Sequence, residues 1–117
     1  MRGISIHPDQ HASQDLSLGA LSYIATYGKR FKLDEILVHF SQAVSETITI
    51  TVVSANGTNY NTVLQSVVLI SETDFVWRPQ GEANYQAGDS IKVQFTNANT
   101  VGICYVTIKA SMLGSGG

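Results

Sequence analysis

Apolar and polar residues alternate with period two through most of this chain. The plainest case is residues 46–54, where Ile48, Ile50 and Val52 alternate with Thr47, Thr49 and Thr51. Successive side chains on a strand point to opposite faces, so this run has one apolar face and one polar face. The pattern recurs in 90–97, where Ile91, Val93 and Phe95 alternate with Lys92, Gln94 and Thr96. It recurs again in 101–113, with Cys104, Val106, Ile108, Ala110 and Met112 on one side. In 30–41, Ile36, Val38 and Phe40 share one face with Asp34, while Leu33, Glu35, Leu37 and His39 occupy the other. Apolar residues on both faces predict a central or doubly covered strand there.

Three further runs are looser. Residues 62–71 read as one strand. In 73–78, Phe75 and Trp77 share a face, which predicts a core position for Trp77, and Pro79 ends the run by removing a ladder donor. Residues 15–27 read as a single strand ended by Gly28, because their β-branched and aromatic end outweighs the helical alternative. Asn56-Gly57 supplies the backbone freedom of a reversal, and the loop it opens runs on to Asn61, with Tyr60 displayed near its tip. Gly81 and Gly88-Asp89 bound the longest irregular stretch, inside which Tyr85 adds a brief strand.

Seven to eight short strands without a convincing helix predict an all-β antiparallel sandwich, jelly-roll-like in its even count and long central loop. An immunoglobulin-like sandwich is the alternative, without the Cys, Trp, Cys spacing of antibody domains. The expected organisation is an N-terminal arm over 1–13, one β-sandwich domain over 14–113 and a flexible Gly/Ser tail over 114–117.

Composition sharpens this. The 117 residues suit one domain, and charged residues make up 14% of them, against ~25% in an average soluble chain. Thr, Ser, Asn and Gln fill the surface instead, as suits a protein that sits among neighbours. The formal charge is −2 and the basic residues are scattered, so nucleic acid is not the expected partner. No run approaches the ~18 apolar residues of a membrane span. The first residues lack the apolar core of a secretory signal, and Cys104 has no second cysteine to pair with. These features fit synthesis in a reducing cytosol.

Candidate chemistry is sparse. His7 and His11 have the spacing of two helical metal ligands, but Pro8 argues against a helix and no third ligand completes a site. Asp34 and Glu35 are adjacent on a strand, so they point to opposite faces and cannot flank one substrate, even with His39 nearby. Cys104 lies mid-strand on an apolar face, where a thiol is a small hydrophobe. No nucleophile elbow or phosphate loop is present. No cofactor is expected. Trp77, Tyr60 and Tyr85 are the residues from which a sugar-stacking surface would have to be built.

The span Phe31–Ser111 resembles a group of small phage virion proteins. The features that carry it are FKLDEILVHFS, ETITITVVSANGTNYNTVL, TDFVWRP and AGDSIKVQFTNAN. Similar chains are β-sandwich structural proteins of tailed bacteriophages, including head decoration (cement) proteins and head–tail accessory proteins. The resemblance implies a non-enzymatic virion protein, assembled in the host cytoplasm. It would bind the major capsid protein or other virion subunits, as a homo-oligomer with a trimer favoured. Contacts would come from the arm, with Ile4, Ile6 and His7, and from the 55–61 and 79–89 loops, with Asn56, Tyr60 and Tyr85. The alternative is a carbohydrate-binding β-sandwich module, for example a tail-associated receptor-binding domain.

Overall fold

The computed structural model describes residues 9–19, 21–81, 84–95 and 102–112. Ile4, Ile6 and His7, most of the expected arm, and the 114–117 tail lie outside the described residues. Among the described residues there are nine strands: β1 Gln10–Asp15, β2 Ser22–Thr26, β3 Phe31–Val44, β4 Thr47–Val53, β5 Thr62–Val68, β6 Glu72–Trp77, β7 Asn84–Tyr85, β8 Ser90–Phe95 and β9 Ile103–Met112.

They form two antiparallel sheets. One has the order β1-β9-β3-β6, with β7 added against β3; the other has the order β2-β8-β4-β5. We refer to them as the β1 sheet and the β2 sheet. The pairings run from the outside of the chain inward: β1 with β9, β2 with β8, β3 with β6, and β4 with β5. A long hairpin rolled so that its successive pairs fall alternately into two sheets is a jelly roll. The short β7 is its one addition.

The alternating apolar positions meet between the sheets. Ile36, Val38, Phe40, Cys104, Val106, Ile108 and Ala110 face inward from one sheet; Ile48, Ile50, Val52, Ile91, Val93 and Phe95 do so from the other. Phe40 and Phe95 touch across the gap with ring centroids 5.4 Å apart. Trp77 and Phe75 are half-buried against this core, as their alternation predicts. Each fully buried aliphatic or aromatic side chain contributes roughly 1.5–3 kcal/mol, so this seam is what holds the two sheets together.

Four local expectations are corrected. The run 15–27 is not one strand. Asp15 Oδ1 accepts the Ser17 backbone N–H at 3.0 Å and the Ser17 hydroxyl at 2.7 Å, and the Leu18 N–H closes onto Asp15 O at 3.0 Å. That aspartate turn separates β1 from β2.

Next, residues 10–13, inside the expected arm, belong to the sheet as part of β1. β1 has no large apolar side chain, so a search for hydrophobic period misses it. It is held by the β9 ladder and by its glutamines: Gln10 accepts from the Tyr23 hydroxyl at 3.1 Å, and Gln14 donates to Gly19 O at 3.3 Å.

Third, Leu33 faces the core rather than the opposite side from Ile36. Leu33 pairs with Ala110 and Glu35 with Lys109, which leaves Asp34 as an extra residue. Such a bulge shifts the face on which every earlier side chain lies, so Phe31 and Leu33 join the core. Fourth, the 62–71 strand stops at Val68. Leu69 tucks into the core with its N–H on Glu46 O at 2.8 Å, and Ser71 turns the chain with φ 52°.

Candidate functional site

Asn56 and Tyr60 lie on the β4–β5 loop. Ser54 organises its start, accepting the Asn56 N–H on Oγ at 3.0 Å while Asn61 Oδ1 takes the Ser54 N–H at 2.8 Å. A single 3-10 turn, Thr58–Tyr60, follows and leaves Tyr60 65% exposed. Asp89 ties this loop to its neighbours. The buried carboxylate accepts the Ala55 N–H at 2.8 Å and the Gln86 N–H at 3.2 Å, while its own carbonyl takes the Tyr27 N–H at 3.4 Å. Gly88 sits at φ +92°, and a Cβ there would meet Ala55 Cβ at 3.2 Å. One end of the sandwich is thus a stitched group of three connections.

Tyr85 is not a displayed loop residue. It is half-buried on β7, its ring 5.4 Å from that of Phe31, and burial pushes its phenol above the ordinary value. With Trp77 also packed on the core, the structure does not join Trp77, Tyr60 and Tyr85 into one stacking surface. Alternation alone placed Trp77; the fate of Tyr85 depended on a pairing with Phe31 and Lys32 that sequence does not reveal.

The outer face of the β1 sheet carries most of the titratable chemistry. Register puts Ser13, Tyr105, His39 and Asp74 in one row across four strands, and His11, Thr107, Leu37 and Val76 in the next. His39 Nδ1 lies 2.7 Å from Asp74 Oδ1, and Tyr105 stacks against the His39 ring at 6.2 Å. The hydrogen bond from His39, with a second from Thr73, holds the Asp74 carboxyl below the usual carboxylate range. Asp, His and Ser in one row invite comparison with a nucleophilic triad. However, Ser13 is two strands from His39, roughly 10 Å at ~4.8 Å per strand, with Tyr105 between them. No proton can pass directly from Ser13 to His39 at that range.

The bulge also separates the carboxylates that sequence places side by side. Asp34 accepts from Ser111 Oγ at 2.5 Å and has Lys32 Nζ at 4.0 Å; Glu35 takes the Arg78 guanidinium at 2.7 Å. Each has a structural partner. Cys104 is buried and its thiol is pushed up to about 12 by burial, so it is not a nucleophile near neutral pH. Among the described residues no group of three or more His, Cys, Asp or Glu gathers to hold a metal.

The outer face of the β2 sheet is different in kind. Its rows read Ile24, Lys92, Thr51, Val63 and Ser22, Gln94, Thr49, Ser66, followed by Thr47 and Val68. Lys92 is the one charge in these rows. Toward the β5 edge, Val63 is 58% exposed, Val68 64%, and Ile70 just beyond it 72%. These valines follow from the β5 register, which a bulge opposite Ile50 and Thr51 fixes.

No family model matches this chain, and no curated protein matches it. Among solved structures it is similar to the Drosophila NLP core, described in terms of pentamer formation and histone binding. That likeness has 12% identity over 92% of this chain and 98% of the other, with a TM-score of 0.42. It is also similar to chains of infectious bursal disease virus. The Gx strain gives 14% identity over 96% of this chain and 32% of the other, TM-score 0.40. The Gt strain gives 14% over 97% and 37%, TM-score 0.35. The chain spans about a third of the viral chains. Likeness at this level carries no functional argument.

Proposed function

We propose that this chain is a non-enzymatic structural subunit of a phage virion, a decoration protein that binds the capsid shell and stabilises it as an oligomer. The observation that carries the reading is the character of one of the jelly roll's two broad outer faces. Among the described residues the face of the β2 sheet combines hydroxyls, amides and valines with a single charge, Lys92. Such a surface suits many modest contacts with neighbouring subunits, as in protein interfaces whose centres are poor in charge. The resemblance of Phe31–Ser111 to small tailed-phage virion proteins supplies the partner: the major capsid protein or another virion subunit. Asn56 and Tyr60, on a loop anchored through Asp89, are then placed to reach that partner, and the protein resides in the virion after assembly in the host cytoplasm.

The test is co-sedimentation of the purified protein with assembled shells, followed by the melting temperature of the shells. Saturable binding that raises the shell melting temperature is the expected result. Failure to bind any shell of the cognate phage, under conditions where the protein is folded, would overturn the proposal.

A further inference from the structure

Among the described residues the sheets end in β1 and β6 on one side of the sandwich and in β2 and β5 on the other, with the two-residue β7 beside β6. An edge strand offers unpaired backbone groups to any other strand, and proteins blunt that risk with charge, proline, shortness or cover. Three of these edges are blunted. β1 carries His11 and ends in Asp15. β6 carries Glu72 and Asp74 and runs into Arg78-Pro79. β2 is only five residues long, and its Thr26 carbonyl accepts from Gln10 Nε2 at 3.4 Å.

β5 has neither charge nor proline; its one irregularity is the bulge at Leu64, beyond which Gln65–Val68 pair regularly with β4. Its seven residues, TVLQSVV, contain no charge, proline or glycine. Val63 and Val68 are exposed on its outer side. The Ser66 backbone N–H donates to Oε1 of Gln65 on the same strand at 2.9 Å. A strand that satisfies its own donor with the adjacent side chain has that donor on the open side.

We infer that β5 is a self-association edge: it pairs antiparallel with β5 of a second copy about a twofold axis, joining the two β2 sheets into one. A twofold sets a strand against itself, so the strand must tolerate its own charge pattern. The whole stretch 61–71 is uncharged, and the nearest outer-face charge, Lys92, is two strands inward on β8. β6 in the same arrangement would bring Glu72 and Asp74 against their own copies. A charged partner would find nothing on β5 to complement. On pairing, the Ser66 N–H exchanges the Gln65 amide for a carbonyl of the facing strand, so no donor is left buried and unpaired. The unit so built is a dimer, not the trimer that the phage resemblance implies, and the inference does not depend on the virion role.

The experiment is light scattering of the full chain across concentration, beside Val68→Lys and Ser66→Pro. The lysine places like charges across the twofold. The proline removes an open-side donor, a position where edge strands tolerate it. The expected result is twice the monomer mass for the native chain and at least tenfold weaker association for both variants, with unchanged circular dichroism. If Ser66→Pro fails to fold, Val68→Lys decides. A native chain that is monomeric at every concentration, a trimer, or a dimer that survives Val68→Lys would overturn the inference. Shell co-sedimentation of monomeric Val68→Lys separates this outcome from the virion proposal.

Discussion

On the outer face of the β1 sheet, His39 meets Asp74 and Arg78 meets Glu35, each at 2.7 Å. On the outer face of the β2 sheet, the cross-strand pairs are Thr49 with Ser66 at 3.4 Å and Thr26 with Ser90 at 2.7 Å. Their inner faces do not differ in this way; both are lined by Ile, Val, Phe and Ala. Burial dictates the inner faces, because each must exclude water from a shared core. The outer faces are free of that demand, so their difference reports on use. The β1 face carries an ion pair, Glu35 with Arg78, and a hydrogen bond between His39 and Asp74. The β2 face leaves methyl groups and backbone at an open edge, and that is the side on which we place association.

The comparison predicts first that inward substitutions ignore it. Ile36→Ala in the β1 sheet and Ile50→Ala in the β2 sheet should each cost about 2–5 kcal/mol, since both residues are fully buried. Urea unfolding checks this. A large difference between the two would show that the core is not shared evenly and that one sheet carries the fold. A smaller effect is expected at Asp89. Asp89→Ala removes a buried carboxylate that accepts from Ala55 and Gln86, at about 1.5–3 kcal/mol. Amide exchange should rise in the 54–61 loop and stay unchanged along Leu37–Phe40. Equal loosening of both regions would break the distinction between a locally stitched end and an independently held β1 face.

How far the sequence reaches follows the same division. The inward strips of β4, β8 and β9 are legible because burial imposes strict alternation on them. β1 is not, because hydrogen bonds from Gln10 and Gln14 rather than apolar burial keep it in place. Leu33 changes face because Asp34 is inserted opposite the Lys109–Ala110 step, and a bulge is a property of two strands together. The row Ser13, Tyr105, His39, Asp74 is assembled from four strands, so no local spacing announces it. The loop at Asn56 and Tyr60 is legible because a turn signal is local; the brief strand at Tyr85 is legible too, but not the packing of its ring on Phe31, which is distant in sequence.

The ion pairs offer a weaker probe. Glu35 and Arg78 sit on the β1 face, with Glu35 largely covered and Arg78 mostly exposed. A double-mutant cycle, Glu35→Gln with Arg78→Gln, should give a coupling of at most about 1 kcal/mol, reduced by salt. Thr49→Ala with Ser66→Ala on the β2 face should give a coupling that salt does not change. Salt dependence in the second cycle would mean that the β2 face is not the uncharged surface its rows describe.

The smallest effect is a pH dependence. Asp74 is exposed, yet its hydrogen bond from His39 holds its carboxyl below the ordinary value in the folded state. A carboxyl with a depressed folded pKa binds protons more readily in the unfolded chain. Its contribution is therefore present above the unfolded value and is lost as the pH falls below about 4. Asp74→Asn should flatten the acid limb of the stability curve in that window and leave the neutral region nearly unchanged. Thr51→Val, on the β2 face, should leave the limb as it was. Urea midpoints from pH 6 down to pH 2 separate the two. If both variants alter the limb alike, acid sensitivity belongs to the sandwich as a whole, and the contrast between a charge-paired face and a neutral one loses its energetic content.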